Sequence, residues 1–537
     1  MVNRKAHKGY LCLVLHAHLP YIRHPESDYF LEENWLYEAI TEAYIPLLNV
    51  LYGLVDDGVD FGLTLCISPT LVEMLNDSLL RLRYQRHIER LIELSEREAY
   101  RTRKDRRFGP VVRMYRERFL MTRHIYEDIL GRDLVSSFRQ LQDTGKVEII
   151  TTAATHAFLP NLSMYPQAIR AQIKTACSVH RKNFADQVAG LWLPECGFSP
   201  GFDQHFREEG ITFFFLDTHG VVQGKPPPRY GVYVPGLCPS GVAAFGRDVD
   251  TSLQVWSSVA GYPGDFDYRD FYRDIGFDLD LDHVRSFIRP FGASNTYTGL
   301  KYYRITGRMK GKEPYVPERA KVRAAEHAEH FIRSREAQVD LLSRKLKIRP
   351  VISATYDAEL FGHWWFEGTE WLNFLLRGID GVRRNFRTVK PSEYLSLKVR
   401  RPSSLQVCEP SMSSWGDKGY SEKWLNEAND YVYRHLYKAV ERMTYLAGRF
   451  PHSTGILQRA LNQAAREVLL SQHSDWTFIM GNGTHSGYAK KRFNEHIRRF
   501  NLLYESIISG EVGEKSLMEI EDKDGIFKDI DYRIYRR

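Results

Sequence analysis

The fold is decided by residues 350–365, PVISATYDAELFGHWW, in which an apolar run is followed at once by charged and aromatic side chains. The run at 350–354 has the length of a buried strand. Five further apolar runs of this kind occur along the chain, with helix-like stretches between them, at 10–15, 61–67, 147–151, 190–193 and 212–216. Continuous apolar strands separated by helices predict a parallel sheet that is covered on both faces.

Titratable side chains follow these apolar runs repeatedly. They are His16 and His18, His156, Glu195, Asp217 and His219, and Asp357, Glu359 and His363. The carboxyl ends of the strands form the active-site face of a β/α barrel, and they also form the ligand edge of an open doubly wound sheet. The length of 537 residues and the number of strand–helix units favour a barrel, incomplete or distorted.

Two stretches depart from the strand–helix rhythm. Residues 72–143 are rich in charge and have helical spacing of apolar residues at 115–141, which predicts a helical insertion. Residues 410–537 contain several more stretches with helical spacing, at 422–446, 458–470 and 489–508. The segment 220–265 is rich in Gly and Pro and is predicted to be irregular, on the active-site side.

These patterns predict an α/β protein with three units. They are a catalytic β/α barrel built from residues 1–71 and 144–409, a helical insertion at 72–143, and a C-terminal helical domain at 410–537 that contributes to the active site.

Composition excludes several classes of protein. The net charge is only +7, and the arginines of 84–123 are interleaved with acids, which indicates a solvated helical surface and no nucleic-acid partner. Six scattered cysteines without a CxxC pair argue against a disulfide framework. Residues 1–9 are polar, and the apolar run after them is short, so neither a signal peptide nor a membrane span is expected. We therefore expect a cytoplasmic protein without a membrane partner.

Two acids stand out as candidate catalytic residues. Glu195 lies in the segment WLPECGF (192–198), and Asp357 lies beside the aromatic residues of 361–365. A structural role is the simpler alternative for each, since both could cap helices. However, two carboxyl groups on strand ends are the minimum equipment for glycoside hydrolysis, and an apolar wall would raise the pKa of the acid that donates a proton.

Two other kinds of function remain open from the residues alone. His16 and His18 share one face of a strand, and with His156, Asp217 and His219 they could hold the metal of a zinc-dependent amidohydrolase or deacetylase. We rank this alternative below the carboxylate pair. A non-catalytic binding or scaffold protein is the other alternative, and the presence of both acids argues against it.

The C-terminal unit offers candidates for sugar binding. Trp415 and Trp424 flank a turn rich in Gly and Ser, where they could be platforms for a sugar ring or simply core residues. Asp475, in the segment SQHSDW (471–476), could accept a hydrogen bond from a sugar hydroxyl or cap a helix.

Five ordered motifs carry a resemblance to a known family. They are residues 16–20, residues 145–151 leading to His156, residues 192–198, residues 356–365 and residues 471–476. In these motifs the chain resembles glycoside hydrolase family 57, and within it the group of 1,4-α-glucan branching enzymes, close to the α-amylases of the family. The resemblance extends over residues 11–503.

The resemblance implies a distorted (β/α)7 barrel with a helical insertion and a C-terminal helical domain. It also implies a retaining mechanism without metal or other cofactor, with Glu195 as nucleophile and Asp357 as acid/base, and an α-glucan such as amylose or a glycogen-like polymer as substrate. With the candidates from the residues themselves, the predicted substrate-binding set is His16, His18, Trp35, His156, Arg247, Trp256, Gly264, Trp415, Trp424 and Asp475.

One departure from the branching enzymes bears on the reaction. Those enzymes have a long loop tipped by Tyr between the nucleophile strand and the position of Arg247, and here the interval is shorter, with Tyr230, Tyr233 and Phe245 as the available aromatics. In the fifth motif, His473 also stands where the family has a small residue. A shorter loop would admit water and favour hydrolysis. The expected function is therefore a branching enzyme, with an α-amylase as the alternative, in a monomer or weak homo-oligomer.

Overall fold

The strands come mainly from the apolar runs of the sequence. In this computed structural model, the described residues are 7–185, 187–257, 260–284, 287, 297–307, 311–381, 384–399, 405–483 and 485–536, so most of the polar start of the chain lies outside them. The strands are β1 (Gly9–Ala17), β2 (Leu63–Ile67), β3 (Val147–Ile150), β4 (Gly190–Trp192), β5 (Phe213–Leu216), β6 (Gly236–Leu237), β7 (Ala243–Gly246), β8 (Val351–Asp357), β9 (Phe386–Thr388) and β10 (Gln406–Val407).

Seven of these strands form the predicted distorted (β/α)7 barrel. β1 pairs in parallel with β8 and β2, β2 pairs with β3, β4 with β5, and β5 with β7. A single parallel bridge between Thr151 and Leu191 joins β3 to β4. The ring closes where the backbone N–H of Asp248, just after β7, donates to the carbonyl of Ser353 in β8 at 3.0 Å. Among the described residues, the β3–β4 junction thus has two backbone hydrogen bonds and the β7–β8 junction one, and these short junctions are the distortion.

The pleat of β1 separates the interior of the barrel from its outer layer. Tyr10, Cys12 and Val14 belong to a buried cluster inside the barrel, whereas Leu11 and Leu13 belong to the core beneath the helices. Because alternate residues of a strand share a face, the inner row of β1 continues to His16, and the inner row of β8 ends at Asp357.

Helices cover the barrel and build the remaining units. They are α1 (Glu33–Ala39), α2 (Ile45–Asp56), α3 (Pro69–Asn76), α4 (Ser78–Arg101), α5 (Gly109–His124), α6 (Leu134–Asp143), α7 (Pro166–Asn183), α8 (Phe202–Glu208), α9 (Thr218–Val222), α10 (Val249–Trp256), α11 (Leu281–Val284), α12 (Pro317–Leu346), α13 (Gly368–Asp380), α14 (Pro391–Val399), α15 (Tyr431–Arg449), α16 (Gly455–Ser471), α17 (Ser474–Asn482), α18 (Ser486–Ser509) and α19 (Glu514–Lys523). π-helical turns follow α1 and α5 at Ile40–Tyr44 and Ile125–Ile129.

The helices beyond the barrel form two groups. α4 and α5 pack against each other in the stretch predicted as an insertion, whereas α6 packs on β3 and α7. In the C-terminal stretch, α16 and α18 pack together, with α15, α17 and α19 around them. We keep the predicted domain boundaries as a proposal, with the packing of α6 favouring an insertion that ends before Leu134.

Two details of the sequence interpretation are corrected. The helix predicted at 422–446 begins only at Tyr431. The backbone before it is held in turns by Asn429, whose side chain accepts from the N–H of Asn426 at 2.8 Å and donates to the carbonyl of Thr477 at 2.9 Å. Such bonds compete with helix formation. In addition, β7 was missed, because its Ala-Ala-Phe-Gly sequence is short and lies in a segment rich in Gly and Pro.

The cysteines and the helix lengths agree with the sequence analysis. All six cysteines are unpaired and buried. Within the described part of the chain, every helix is too short or too polar to cross a bilayer.

The packing of β1 yields a stability prediction. Leu13 is 0% exposed, and Leu13→Ala should lower the free energy of unfolding by about 2–5 kcal/mol because the cavity cannot collapse. Leu82, which is 45% exposed on α4, is the matched control, and Leu82→Ala should change it by no more than about 0.5 kcal/mol. Urea unfolding followed by circular dichroism compares the two. Equal losses would contradict the placement of Leu13 in the core.

Candidate active site

Glu195 sits on a strained turn just beyond β4. Its backbone has φ 59°, and the next residue, Cys196, has φ 51°. His156, beyond β3, also lies in the left-handed region with φ 52°. Each such conformation of a non-glycine residue costs about 1–3 kcal/mol and persists only where the surrounding structure imposes it. Positive φ values at Glu195, Cys196 and His156 indicate that the direction of these side chains is kept at the expense of backbone strain.

The carboxylate of Glu195 is held by residues of the C-terminal part of the chain. The Ser474 hydroxyl donates to Oε1 at 2.9 Å, and the Trp415 indole N–H donates to Oε2 at 2.7 Å. The backbone N–H of Trp415 also donates to the carbonyl of Glu195 at 2.9 Å. Burial, and then the negative charge of Asp475, raise the pKa of Glu195 to about 7, although the two side-chain bonds oppose the rise.

Asp357 ends the inner row of β8 and is the register partner of His16 in β1. Among the described residues, none donates a hydrogen bond to its carboxyl group. Burial, and then the charges of Glu359 and Glu195, raise the pKa of Asp357 well above its ordinary value. These surroundings favour the protonated form of the group, and its proton is free to be donated to a ligand.

Glu359 is a third buried acid beside the pair. The Tyr44 hydroxyl donates to its Oε1 at 2.5 Å, and the backbone N–H of His18 donates to the same oxygen at 3.0 Å. Burial raises the pKa of Glu359 to about 7. Its charge is the largest electrostatic influence on Asp357 after burial, so it helps to keep that residue protonated.

Two imidazoles support the Glu195 side of the site. His156 lies with Nδ1 2.9 Å from the Ser474 hydroxyl and 3.7 Å from Oε1 of Glu195. Its Nε2 is 3.0 Å from Nε2 of His16, whose ring stacks on Trp192. Burial, and then the neighbouring imidazoles, lower the pKa of both histidines well below the ordinary value. Both rings are therefore neutral at pH 7 and act as hydrogen-bonding groups.

Asp475 is the ionised acid of the site. Burial alone would raise its pKa, but hydrogen bonds from His18 and His473 hold the pKa of Asp475 well below the ordinary value. The bonds to its Oδ2 measure 3.0 Å from Nε2 of His18 and 3.1 Å from Nδ1 of His473. His473, unexpected in the sequence, is thus a partner of this carboxylate.

Arg247 and two tryptophans form one wall of the site. Arg247 donates to Oδ2 of Asp217 and to the Thr355 hydroxyl, both at 2.9 Å, and its guanidinium lies 5.0 Å from the centroid of Trp415. Trp256 is 40% exposed and meets Trp415 edge-on, with the centroids 6.4 Å apart. The wall combines a fixed cation with an exposed aromatic ring.

Two of the predicted substrate-binding residues, Trp35 and Gly264, lie away from the acid pair. Trp35 packs edge-on against His485 and Tyr488 at the start of α18. Gly264 lies in a turn that lines a separate polar cavity against α12. No contact among the described residues joins either of them to the acid pair.

Trp424 corrects the sequence interpretation. It is only 1% exposed and stacks on Phe158 with the ring centroids 4.3 Å apart. Its faces are therefore not available as the predicted sugar platform.

The residues considered for a metal site are not brought together as one set. Asp217 is ion-paired with Arg247, and His219 lies 3.1 Å from Asp217 and 2.8 Å from the carbonyl of Gly419. The carboxylate of Asp217 and the imidazole of His219 therefore belong to the Arg247 wall.

A different trio has the composition of a metal site. The donor atoms of His18, His473 and Asp475 all lie within 4.8 Å of one another. A zinc ion could be held by two imidazoles and a carboxylate. In this structure Oδ2 of Asp475 lies 3.0 Å from Nε2 of His18 and 3.1 Å from Nδ1 of His473, and the other ring nitrogen of each imidazole is buried without a hydrogen-bond partner among the described residues.

The interval before Arg247 is anchored to residues 406–409. The backbones of Lys225 and Glu409 form an antiparallel bridge, and β6 pairs in parallel with β10. Phe245 is 1% exposed inside the barrel, and Tyr233 packs against the core. Of the three candidate aromatics, only Tyr230 lies in this loop without a core contact of that kind, and its backbone N–H donates to Gln406.

Sequence reasoning missed the roles of Ser474, Trp192 and Tyr44. Ser474 lies 279 residues from Glu195 in sequence, so only the folded chain shows their contact. Its signal was its position directly before Asp475 in the fifth motif. Trp192 had a similar signal, directly before the turn of Glu195, whereas Tyr44 had none.

Two family models of known proteins match this chain, one over the barrel and one over the C-terminal helices. The family model "Glycosyl hydrolase family 57" matches residues 12–407, and the model "1,4-alpha-glucan branching enzyme, C-terminal" matches residues 435–535. The 1,4-α-glucan branching enzyme TK1436 of Thermococcus kodakarensis is 33% identical over 97% of this chain and 78% of its own length.

Solved structures agree with this comparison. The α-amylase AmyC of Thermotoga maritima superposes with a TM-score of 0.91 at 41% identity, covering 98% of this chain and 99% of that one. The TK1436 structure, in complex with glucose, superposes with a TM-score of 0.88 at 32% identity, covering 99% and 97%. With a barrel and an acid-lined site of this kind, these matches show that the chain is an enzyme of glycosyl hydrolase family 57.

Proposed function

We propose that the chain is a retaining 1,4-α-glucan branching enzyme in which Glu195 is the nucleophile and Asp357 the acid/base. One observation carries the proposal: the hydrogen-bonded carboxyl group of Glu195 lies just beyond β4, and the carboxyl group of Asp357, which has no donor among the described residues, ends β8. The match of the C-terminal unit to that of branching enzymes supports the choice within the family.

The protonation states suit a double displacement. Asp357, which retains its proton, donates it to the glycosidic oxygen while the Glu195 carboxylate attacks C1. The C1–O bond of the donor chain breaks, and a covalent glucosyl-enzyme forms. Asp357, now ionised, removes a proton from the incoming hydroxyl, whose oxygen attacks C1 and releases Glu195. A 6-hydroxyl of a glucan gives an α-1,6 branch, and water gives hydrolysis.

The surrounding groups orient the nucleophile and the substrate. Ser474 and Trp415 hydrogen-bond the two oxygens of Glu195, and neutral His156 hydrogen-bonds the Ser474 hydroxyl in turn. On the substrate side, the ionised Asp475 is placed to accept hydrogen bonds from sugar hydroxyls, as carboxylates do. The exposed ring of Trp256 offers a flat apolar face to a glucose ring.

The remaining expectations complete the proposal. The substrate is an α-glucan such as amylose or a glycogen-like polymer, in the cytoplasm and in glycogen synthesis. Neither nucleic acid nor membrane is a partner, and the protein is a monomer or weak homo-oligomer. Residues 410–537 contribute Ser474, Asp475 and Trp415 to the site.

An α-amylase is the second candidate, and a specific observation favours it. The loop that precedes β6, which we expect to be shorter than in branching enzymes, is pinned to Gln406 through Tyr230 and Gly231, and the similar AmyC is described as an α-amylase. A less covered glucosyl-enzyme would be open to water. The two activities share every chemical step up to the choice of acceptor.

Incubation with amylose distinguishes the two candidates. We expect new α-1,6 linkages, seen as short chains after enzymatic debranching, in excess of new reducing ends. Glu195→Gln should lower both products by at least about 10³-fold because no glucosyl-enzyme can form. Reducing ends without α-1,6 linkages would establish the amylase instead. Loss of wild-type turnover after dialysis against chelator would contradict the mechanism without metal.

The hydrogen bond from Trp415 yields a pH prediction. Its indole lowers the pKa of Glu195, so Trp415→Phe should raise that pKa and move the acid limb of the kcat/KM profile to higher pH, by about one unit. Trp256→Phe is the matched control, since Trp256 does not hydrogen-bond Glu195, and its acid limb should stay in place. A Trp415→Phe limb at the wild-type position, or shifted to lower pH, would contradict the proposed role of Glu195.

A further inference from the structure

A second aromatic surface is carried by the loop that follows β8. Trp364 is 53% exposed, and one face of its ring stacks on Phe271 with the centroids 4.4 Å apart and the planes at 29°. Tyr297, 42% exposed, lies next to Phe271. We call Trp364, Phe271 and Tyr297 the Trp364 surface. The mechanism above gives it no role, and a half-exposed Trp held in a stack is costly to leave open to water.

The loop that carries Trp364 is held in place. Gly362 has φ 106°, and a Cβ added there would lie 1.9 Å from the carbonyl oxygen of Glu42, so only glycine fits this close approach. His363 lies 2.8 Å from Oε2 of Glu42, and Arg269 donates to the carbonyl of His363 at 2.9 Å. The ring of Trp364 is therefore presented by a rigid support.

The Trp364 surface continues into an open pocket between α1 and α4. Tyr297 lines both the surface and the pocket, and Glu38 lines the pocket and lies 3.8 Å from His363. Tyr29, Arg86 and Arg90 line the pocket as well. The pocket combines aromatic rings with negatively charged carboxylates and positively charged guanidinium groups. This combination suits a neutral molecule with apolar faces and many hydroxyls, such as a sugar chain.

The two aromatic surfaces follow different strands of the barrel. Trp256 and Trp415 belong to the side of β7 and the C-terminal unit, where Glu195 receives its hydrogen bond. The Trp364 surface belongs to the side of β1, because the loop after Asp357 packs on the π-helical turn Ile40–Tyr44. Because β8 lies between β1 and β7, Asp357 ends a strand whose two neighbours are each associated with an aromatic surface that could hold a glucan chain.

Branching requires two chains at one acid. The donor chain must place C1 against Glu195, and the acceptor chain must bring a 6-hydroxyl to the same carbon. In the transfer step the acceptor O–H proton goes to Asp357, a new C1–O6 bond forms, and the C1–O bond to Glu195 breaks. Water needs no binding surface for the same step, so an acceptor surface sets the ratio of transfer to hydrolysis by raising the local concentration of the hydroxyl.

We propose that the Trp364 surface and the adjoining pocket bind the acceptor α-1,4-glucan chain. This inference rests on the proposed function, because only a transferase needs a second chain. The acceptor extends from the 6-hydroxyl at Asp357 across Trp364 and along α1 towards Tyr29.

Trp364→Ala tests the proposal through the ratio of new α-1,6 linkages to new reducing ends on amylose. We expect this ratio to fall by about 5-fold or more, because the variant loses a stacking face for the acceptor and not for the donor. Trp364→Phe should recover part of the loss. Tyr100→Ala, 70% exposed at the end of α4, is the control and should keep the wild-type ratio. Trp256→Ala, on the donor side, should lower both products together.

An unchanged ratio in Trp364→Ala, or an equal fall of both products, would overturn the acceptor assignment. A thermal unfolding midpoint close to that of the wild type shows that the variant is folded. If the wild type itself forms no α-1,6 linkages, the proposed branching function fails on its own. Calorimetric titration of Glu195→Gln with maltoheptaose then decides the surface: loss of a class of sites with the added Trp364→Ala change supports it, and an identical isotherm overturns it.

Discussion

The structure depends on the contact that joins the C-terminal unit to Glu195. Two donors from beyond residue 410, the Ser474 hydroxyl and the Trp415 indole, occupy both oxygens of a carboxylate that the barrel strand β4 presents. A carboxylate buried without such donors would be strongly destabilised, and it would take up a proton at neutral pH. The barrel alone therefore cannot hold this group in a useful state, which explains why the helical unit and the barrel form one site.

The same contact accounts for the strained backbone around it. Glu195, Cys196 and His156 all have positive φ values, and each is fixed by neighbours beyond its own strand. The Trp415 backbone bonds the Glu195 carbonyl, and Ser474 donates its backbone N–H to the carbonyl of His156. The site is thus preorganised by packing between units, and its acids differ in state because their surroundings differ. Hydrogen bonds from two imidazoles lower the pKa of Asp475, whereas burial and two neighbouring acids raise the pKa of Asp357.

Much of this could be predicted from the sequence, for identifiable reasons. The apolar runs became strands because each is continuous and ends in polar residues, and the pleat then placed His16 and Asp357 on the inner face. The acid pair followed from its position at strand ends. What could not be predicted depends on contacts between distant residues. The hydrogen bond from Ser474, the burial of Trp424 under Phe158 and the turns imposed by Asn429 leave no pattern of spacing along the chain.

The central claim is that Glu195 carries the sugar between the two halves of the reaction. Its most direct test is mass spectrometry of peptides from enzyme treated with 5-fluoro-α-D-glucosyl fluoride, whose glucosyl-enzyme turns over slowly. The account predicts one added fluoroglucosyl group, on the peptide that contains Glu195, and no adduct in Glu195→Gln. An adduct on any other side chain, or turnover of the reagent by Glu195→Gln at the wild-type rate, would contradict it.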